Sequence, residues 1–187
     1  MDPKLVERLI SSQTVFTGRL ISVRVDEVEL PGGHRARREV VIHPGAAAIV
    51  PLLPDGRVIM IRQYRHAAGK VFYELPAGTL APGESALNCA RRELAEETGY
   101  QAEHVRLLFS TYLSPGYSSE IIHVFLASGL HQTTQGALAE DEHLELVVLP
   151  LTEAVAMVGR GEVQNAAAIC GLLGANAWGG PAAEVIE

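Results

Sequence analysis

The 187 residues include only two cysteines, one tryptophan and 5% aromatics. Cys89 and Cys170 stand far apart, and neither has a paired spacing. They supply no disulfide framework and no zinc site, and buried thiols in a reducing compartment are expected. Long apolar runs are also missing. The longest stretch of small and aliphatic residues, Ala166 to Ala175, falls far short of the roughly 20 that cross a bilayer. The opening MDPKLVERLI carries charge throughout and lacks the apolar segment of a secretory signal. A soluble, cytoplasmic protein with no membrane partner is expected. Basic residues are in the minority, 15 Lys and Arg against 22 Asp and Glu, for a net charge of −7. That balance argues against a nucleic-acid partner held by bulk electrostatics. The arginines nonetheless gather in knots, at Arg35, Arg37 and Arg38, at Arg62 and Arg65, and at Arg91 and Arg92. Each knot fits a solvated strand edge or a local anion site.

What is present is the composition of a globular chain, 48% hydrophobic and 20% charged. The length suits one domain with a small appendage. Val15 to Leu30 reads as a strand closed by Pro31-Gly32-Gly33, and Arg38 to His43 as a second, stopped by Pro44-Gly45. Ala46 to Leu53 is a continuous apolar run of strand length. Pro54-Asp55-Gly56 then turns the chain into an alternating segment, Arg57 to Tyr64. Val71 to Leu75 is short and extended. From Ser85 to Thr98 the period becomes helical, with Leu87, Ala90 and Leu94 on one stripe and Gly99 at the place of a left-handed cap. Strands resume near His104 to Tyr112, Glu120 to Ala127 and His143 to Leu149. Helical stretches follow near Thr152 to Val158 and Asn165 to Ala177. Strands with irregularly interspersed helices imply an α/β fold, a mixed sheet sandwiched by helices.

The first helix is unusual in its charge. At about 100° per residue, Glu93 and Glu97 fall about 40° apart, with Glu96 about 60° beyond Glu93. Glu93 and Glu97 repel at i, i+4, and Glu96 and Glu97 crowd the negative end of the dipole, at a total cost of roughly 1 kcal/mol or less. A bound divalent cation reverses that cost, and oxygen ligands without His or Cys favour Mg²⁺ or Mn²⁺ over zinc. Three glutamates alone fit an acidic solvent face equally well.

The preceding residues add a pattern. Gly78, Glu84, Arg92-Glu93-Leu94, Glu96-Glu97 and Gly99 stand in the spacing G-x5-E-x7-R-E-L-x-E-E-x-G. This resembles the Nudix box, with Tyr100 where an aliphatic residue is usual. The resemblance implies a loop-helix-loop that binds Mg²⁺ to a diphosphate, within a Nudix-like α/β/α sandwich. Carried over by position, it makes Glu93 and Glu97 the principal metal ligands and Glu96 a ligand or catalytic assistant. The main-chain carbonyl of Ala77 is a further ligand. Gly78, Glu84, Arg92 and Gly99 become structural, with Arg92 bridging carboxylates. A guanidinium fork there offsets the crowded negative charge. Gly78 and Gly83 are expected to permit tight backbone turns.

Glu74-Leu75-Pro76-Ala77-Gly78, Arg62-Gln63-Tyr64-Arg65 and Pro115 within Ser114 to Glu120 resemble segments of the ADP-ribose pyrophosphatases of that family. The resemblance implies hydrolysis of ADP-ribose to AMP and ribose 5-phosphate. Another nucleoside diphosphate sugar or a dinucleotide is the alternative substrate, and a non-catalytic ligand binder the alternative class. It further implies a homodimer with exchanged N-terminal strands, residues 1–45 serving dimerisation and substrate contact and 46–187 forming the catalytic domain. Phe16 and Arg38 then become candidates to stack on the adenine, and Arg62 a candidate for the diphosphate or terminal ribose. Phe16 packing as a core or interface aromatic is an equal reading. The general base is expected on a late loop. Of Glu140, Asp141 and Glu142, the last holds the matching place, with Glu145 an alternative within the following strand. His43 and His123 are expected to be structural, and Cys89 to point away from the leucine stripe.

Overall fold

In a computed structural model the chain is described over residues 4–133 and 143–178. It divides into two compact units. One comprises residues 4–45 with 112–121, and the other residues 46–111, 122–133 and 143–178.

The first unit is built on an antiparallel sheet of β1 (Arg8–Thr17), β2 (Ser22–Glu29) and β3 (Arg35–Ile42), in that order. The segment read from sequence as one strand, Val15 to Leu30, is therefore broken. Gly18 N–H donates to Ile21 O at 2.9 Å and turns the chain between β1 and β2. Around β3, Val41 N–H donates to Tyr117 O at 2.8 Å and Ser119 N–H to Val41 O at 2.9 Å. His43 is structural as expected. Its Nδ1 accepts from Gly45 N–H at 3.1 Å, and its own N–H donates to Ser119 Oγ at 3.0 Å.

The second unit contains two sheets among its described residues. In one, β7 (Ala77–Thr79), β4 (Ala46–Pro51), β9 (Ile121–Gln132) and β8 (Tyr100–Tyr112) lie in that order, with β4 parallel to β9 and antiparallel to β7. In the other, β10 (Leu144–Pro150), β5 (Arg57–Arg65) and β6 (Lys70–Glu74) are antiparallel. β4 is buried on both sides, which is why it reads as an unbroken apolar run rather than an alternating one. Ala48 and Val50 enter one core with Val124, Met60 and Leu75. Residues of α2 (Leu151–Gly159) and α3 (Ala166–Trp178) complete it. Ala47 and Ile49 enter a second core with Phe125 and with Cys89, Ala90 and Leu94 of α1 (Ala86–Thr98). The result is the expected α/β/α arrangement, with α1 on one face and α2 and α3 on the other.

Two details of α1 differ from the expectation. Leu87 is 39% exposed and lies off the stripe, near the helix start. Cys89 does not turn away from Ala90 and Leu94 but is fully buried with them. Its thiol packs against the backbone of β7.

Candidate active site

The helix ends are set locally. Ser85, in extended conformation, accepts the Asn88 N–H on Oγ at 3.2 Å, and Gly99 closes the helix at φ 71° with its N–H on Ala95 O. Such a cap is worth about 1 kcal/mol. The caps fix the ends of α1, and the burial of Cys89, Ala90 and Leu94 sets the face on which the glutamates stand.

Arg92 organises the charge. Its Nε and Nη2 donate to the two oxygens of Glu84 at 2.9 and 3.1 Å. Its Nη1 donates to Glu93 Oε1 at 2.6 Å and to Glu96 Oε2 at 2.9 Å. One guanidinium thus serves three carboxylates. The hydrogen bond to Glu84, then the charge of Glu93, hold it more firmly protonated. Glu84 is held down to about 2 by Arg92 and by the Ala81 N–H that donates to its Oε2 at 3.0 Å. Arg92 and Glu84 are thus in direct contact, the contact through which the implied structural role would act.

Glu93 and Glu97 are buried, only 7% and 6% exposed, whereas Glu96 is open to solvent. Both buried carboxylates meet β7. Glu97 Oε2 accepts the Ala77 N–H at 2.9 Å. A Cβ placed on Gly78 would lie 1.8 Å from Glu93 Oε1. Gly78 has no left-handed φ, so the expectation of a tight turn there is corrected: it is a glycine because Glu93 fills the space of a side chain. Gly83, at φ 78°, does make the expected left-handed turn. Among the described residues, no three Asp, Glu, His or Cys side chains converge as a ready-made metal site. Arg92 draws on Glu93 and Glu96, and Glu97 is turned to the backbone of Ala77. The set still fits a hard divalent cation. It offers only oxygen donors, two of them buried carboxylates one helical turn apart beside the main chain of β7.

Cys89 lies beneath β7, its Sγ 3.5 Å from Gly78 O. Burial, and then the charges of Glu93 and Glu84, push its thiol up to about 11, so it is no nucleophile.

Phe16 and Arg38 stand in the first unit, and Arg62 on β5 of the second. Phe16 is 54% exposed on β1 and pairs with Val23, whereas Arg38 pairs with Asp26 and donates to Glu7. Val23 and Asp26 are three residues apart on β2, so Phe16 and Arg38 lie on opposite faces of their sheet. They do not form one stacking site within a single chain. Arg62 donates from Nη1 to Glu145 at 2.8 Å and lies 5.4 Å from the centroid of the Tyr73 ring. Glu142 falls within residues 134–142, outside the described residues.

Sequence reasoning assigned no role to Glu74, although it stands in the stretch Glu74-Leu75-Pro76-Ala77-Gly78. Its carboxylate is buried and accepts from Gln63 Nε2 at 2.9 Å, Arg65 Nη2 at 2.7 Å and Asn165 Nδ2 at 2.9 Å. It ties β5 and the residue preceding α3 to the end of β6, just before the chain passes to β7 beside Glu93. The available signal was a lone carboxylate in the apolar run of β6.

A family model described as the NUDIX domain matches residues 42–169, and one described as the nucleoside diphosphate sugar hydrolase N-terminal domain matches residues 7–41. The chain is 43% identical over 150 residues to the methanol dehydrogenase activator of Bacillus methanolicus, covering 80% of this chain and 81% of that one. It is 40% identical over 163 residues to the ADP-ribose pyrophosphatase of Bacillus subtilis strain 168, covering 87% and 88%. A crystal structure of an ADP compounds hydrolase superposes with a TM-score of 0.82 at 26% identity, covering 93% of this chain and 95% of that one. With Glu93 of α1 set against Gly78, these matches place the chain in the Nudix family. It is a Nudix hydrolase, an enzyme of a family generally dependent on divalent metal and acting on small nucleoside diphosphate compounds. No helix among the described residues is long and apolar enough to cross a membrane.

Proposed function

We propose that the enzyme hydrolyses the diphosphate bond of ADP-ribose, with Mg²⁺ as cofactor and Mn²⁺ as a substitute, to AMP and ribose 5-phosphate. The observation that carries this reading is the packing of Glu93 against Gly78, with Glu97 on Ala77 N–H, which aims two buried carboxylates at the backbone of β7. The sequence stretches around Arg62, Glu74 and Pro115 and the relative named for ADP-ribose support the substrate. Mg²⁺ bound there would polarise the phosphoryl oxygens, activate water and neutralise the leaving phosphate. Glu93 and Glu97 would hold it, with Glu96 and the carbonyl of Ala77 completing the set. Arg92 keeps Glu93 and Glu96 in place, and Glu84 keeps Arg92 in place. Glu142 takes the proton of the attacking water. The water oxygen bonds to one phosphorus as the bridging phosphorus–oxygen bond breaks.

Residues 1–45 form the region for dimerisation and substrate contact in this reading, and 46–187 the catalytic domain. Leu9, Val15 and Phe16 are exposed along β1, as a strand covered by a second subunit of a homodimer would be. Phe16 and Arg38 contact the adenine as members of different subunits. The enzyme acts in the cytoplasm. A relative named as an activator of a dehydrogenase raises a second reading, ligand binding without turnover, but here Glu93, Glu96 and Glu97 are all retained.

The deciding experiment assays ADP-ribose, GDP-mannose, NADH and a diadenosine compound with and without Mg²⁺, with products identified. ADP-ribose is expected to give AMP and ribose 5-phosphate at the highest kcat/KM. A tenfold advantage for another substrate would replace it, and absence of turnover on all four would favour the binding protein.

A further inference from the structure

In register across β10, β5 and β6 stand Glu145, Arg62 and Tyr73. The guanidinium of Arg62 lies over the Tyr73 ring and donates through Nη1 to Glu145. Next to this row, Tyr64 pairs with Val71, and both are exposed despite their apolar surface. Arg62, Tyr64, Val71, His143 and Glu145 line a cavity of about 480 Å³, a size suited to a small molecule.

Two features of this cavity do not fit a purely structural ion pair. First, the Nε of Arg62 is buried, and among the described residues its N–H has no acceptor. The planar fork is fixed by Tyr73 and half used. Second, the Glu145 side chain is 72% exposed, so its pairing with Arg62 is of the weak, solvent-screened kind. A phosphate accepts from a guanidinium in two parallel bonds and is the stronger partner. One carboxylate thus sits where an anionic ligand would bind, held too loosely to resist it.

We propose that Glu145 is a built-in competitor for the substrate's diphosphate: it occupies Arg62 until the diphosphate displaces it, and thereby sets KM rather than turnover. The inference rests on the reading of the enzyme as a nucleoside diphosphate hydrolase and names how that substrate class is held. The exposed ring of Tyr64 offers the adjoining sugar or base a flat surface.

The test is a double-mutant cycle on the full chain with two readouts. One is KM and kcat for ADP-ribose. The other is the Kd for inorganic pyrophosphate by calorimetry in the presence of a chelator, which reports anion binding without turnover. Glu145→Gln is expected to lower both KM and Kd about threefold to tenfold, with kcat changing less than KM. Arg62→Gln is expected to weaken pyrophosphate binding. In that background Glu145→Gln should change Kd less than twofold, because the competition acts through Arg62. Arg62→Lys, which keeps the charge but not the fork, covers the case in which Arg62→Gln does not fold. Three results would each overturn the proposal. The first is a rise in KM and Kd in Glu145→Gln, which makes Glu145 a support for Arg62. The second is an equally large effect without Arg62, which is bulk repulsion. The third is wild-type pyrophosphate binding in both Arg62→Gln and Arg62→Lys. If the calorimetry follows the expected cycle while ADP-ribose is not hydrolysed, the substrate reading fails and the anion site stands.

Discussion

The carboxylate of Glu93 occupies the space in which a side chain at Gly78 would begin, 1.8 Å from an added Cβ. Substituting Gly78→Ala must push the glutamate away or move β7 from α1. Overpacking of this kind costs about 1–3 kcal/mol. Turnover is expected to fall by about 10²-fold or more, the loss usual when a charge-stabilising group is displaced. Gly83→Ala is the comparison, since an alanine there meets only its left-handed φ and no neighbour within 4 Å. It should cost about 1 kcal/mol and spare most activity. Steady-state rates and urea midpoints for both variants decide between crowding and backbone freedom.

Glu93→Gln and Glu97→Gln preserve volume, and the amide oxygen at 97 can still accept from Ala77 N–H. Folding stability is expected to change by no more than about 1 kcal/mol. Activity at saturating Mg²⁺ should nevertheless drop by about 10²-fold or more. Near-wild-type turnover in either variant removes that residue from the metal set.

Glu84 connects the site to acid stability. Its folded value of about 2 lies below the ordinary carboxylate value, so the ionised form is favoured by folding. Stability from this group is fully present above about pH 4.5 and is lost as pH falls toward 2. Denaturation midpoints measured with a chelator between pH 5.5 and 2.5 should fall more steeply for the wild type than for Glu84→Gln. Parallel curves would mean that Arg92 does not depend on Glu84.

Glu142→Gln is expected to lower kcat by about 10²–10⁴-fold with little change in KM, the pattern of a lost general base. Glu140→Gln and Asp141→Asn should cost far less. A larger loss at either of those positions, or at Glu145, transfers the role.

Much of the site was legible because it is written locally. Gly99 and the spacing from Glu84 to Glu97 act within a few helical turns, and the left-handed cap at Gly99 and the Arg92–Glu84 contact fall where that spacing puts them. The reason for Gly78 was not legible, because a glycine that turns the chain and one that makes room for a neighbour look the same in sequence. Glu74 was missed for a different reason: its partners come from β5 and from Asn165, 91 positions downstream. The opposite facing of Phe16 and Arg38 follows from pairing with β2, and the break at Gly18 that creates this pairing was read as continuous strand. Element types followed from periodicity, whereas faces and partners depended on register.

Cys89 makes the seam between α1 and β7 open to chemical reading. Its sulfur is fully buried under the carbonyl of Gly78, while the other thiol, Cys170, is exposed. A thiol-directed reagent should therefore label the chain in two phases, Cys170 at once and Cys89 only when β7 and α1 part. The slow phase is a clock for that opening, readable by mass without substrate or assay. Divalent metal should slow it if β7 and the glutamates of α1 grip the same ion, and leave it unchanged if they do not.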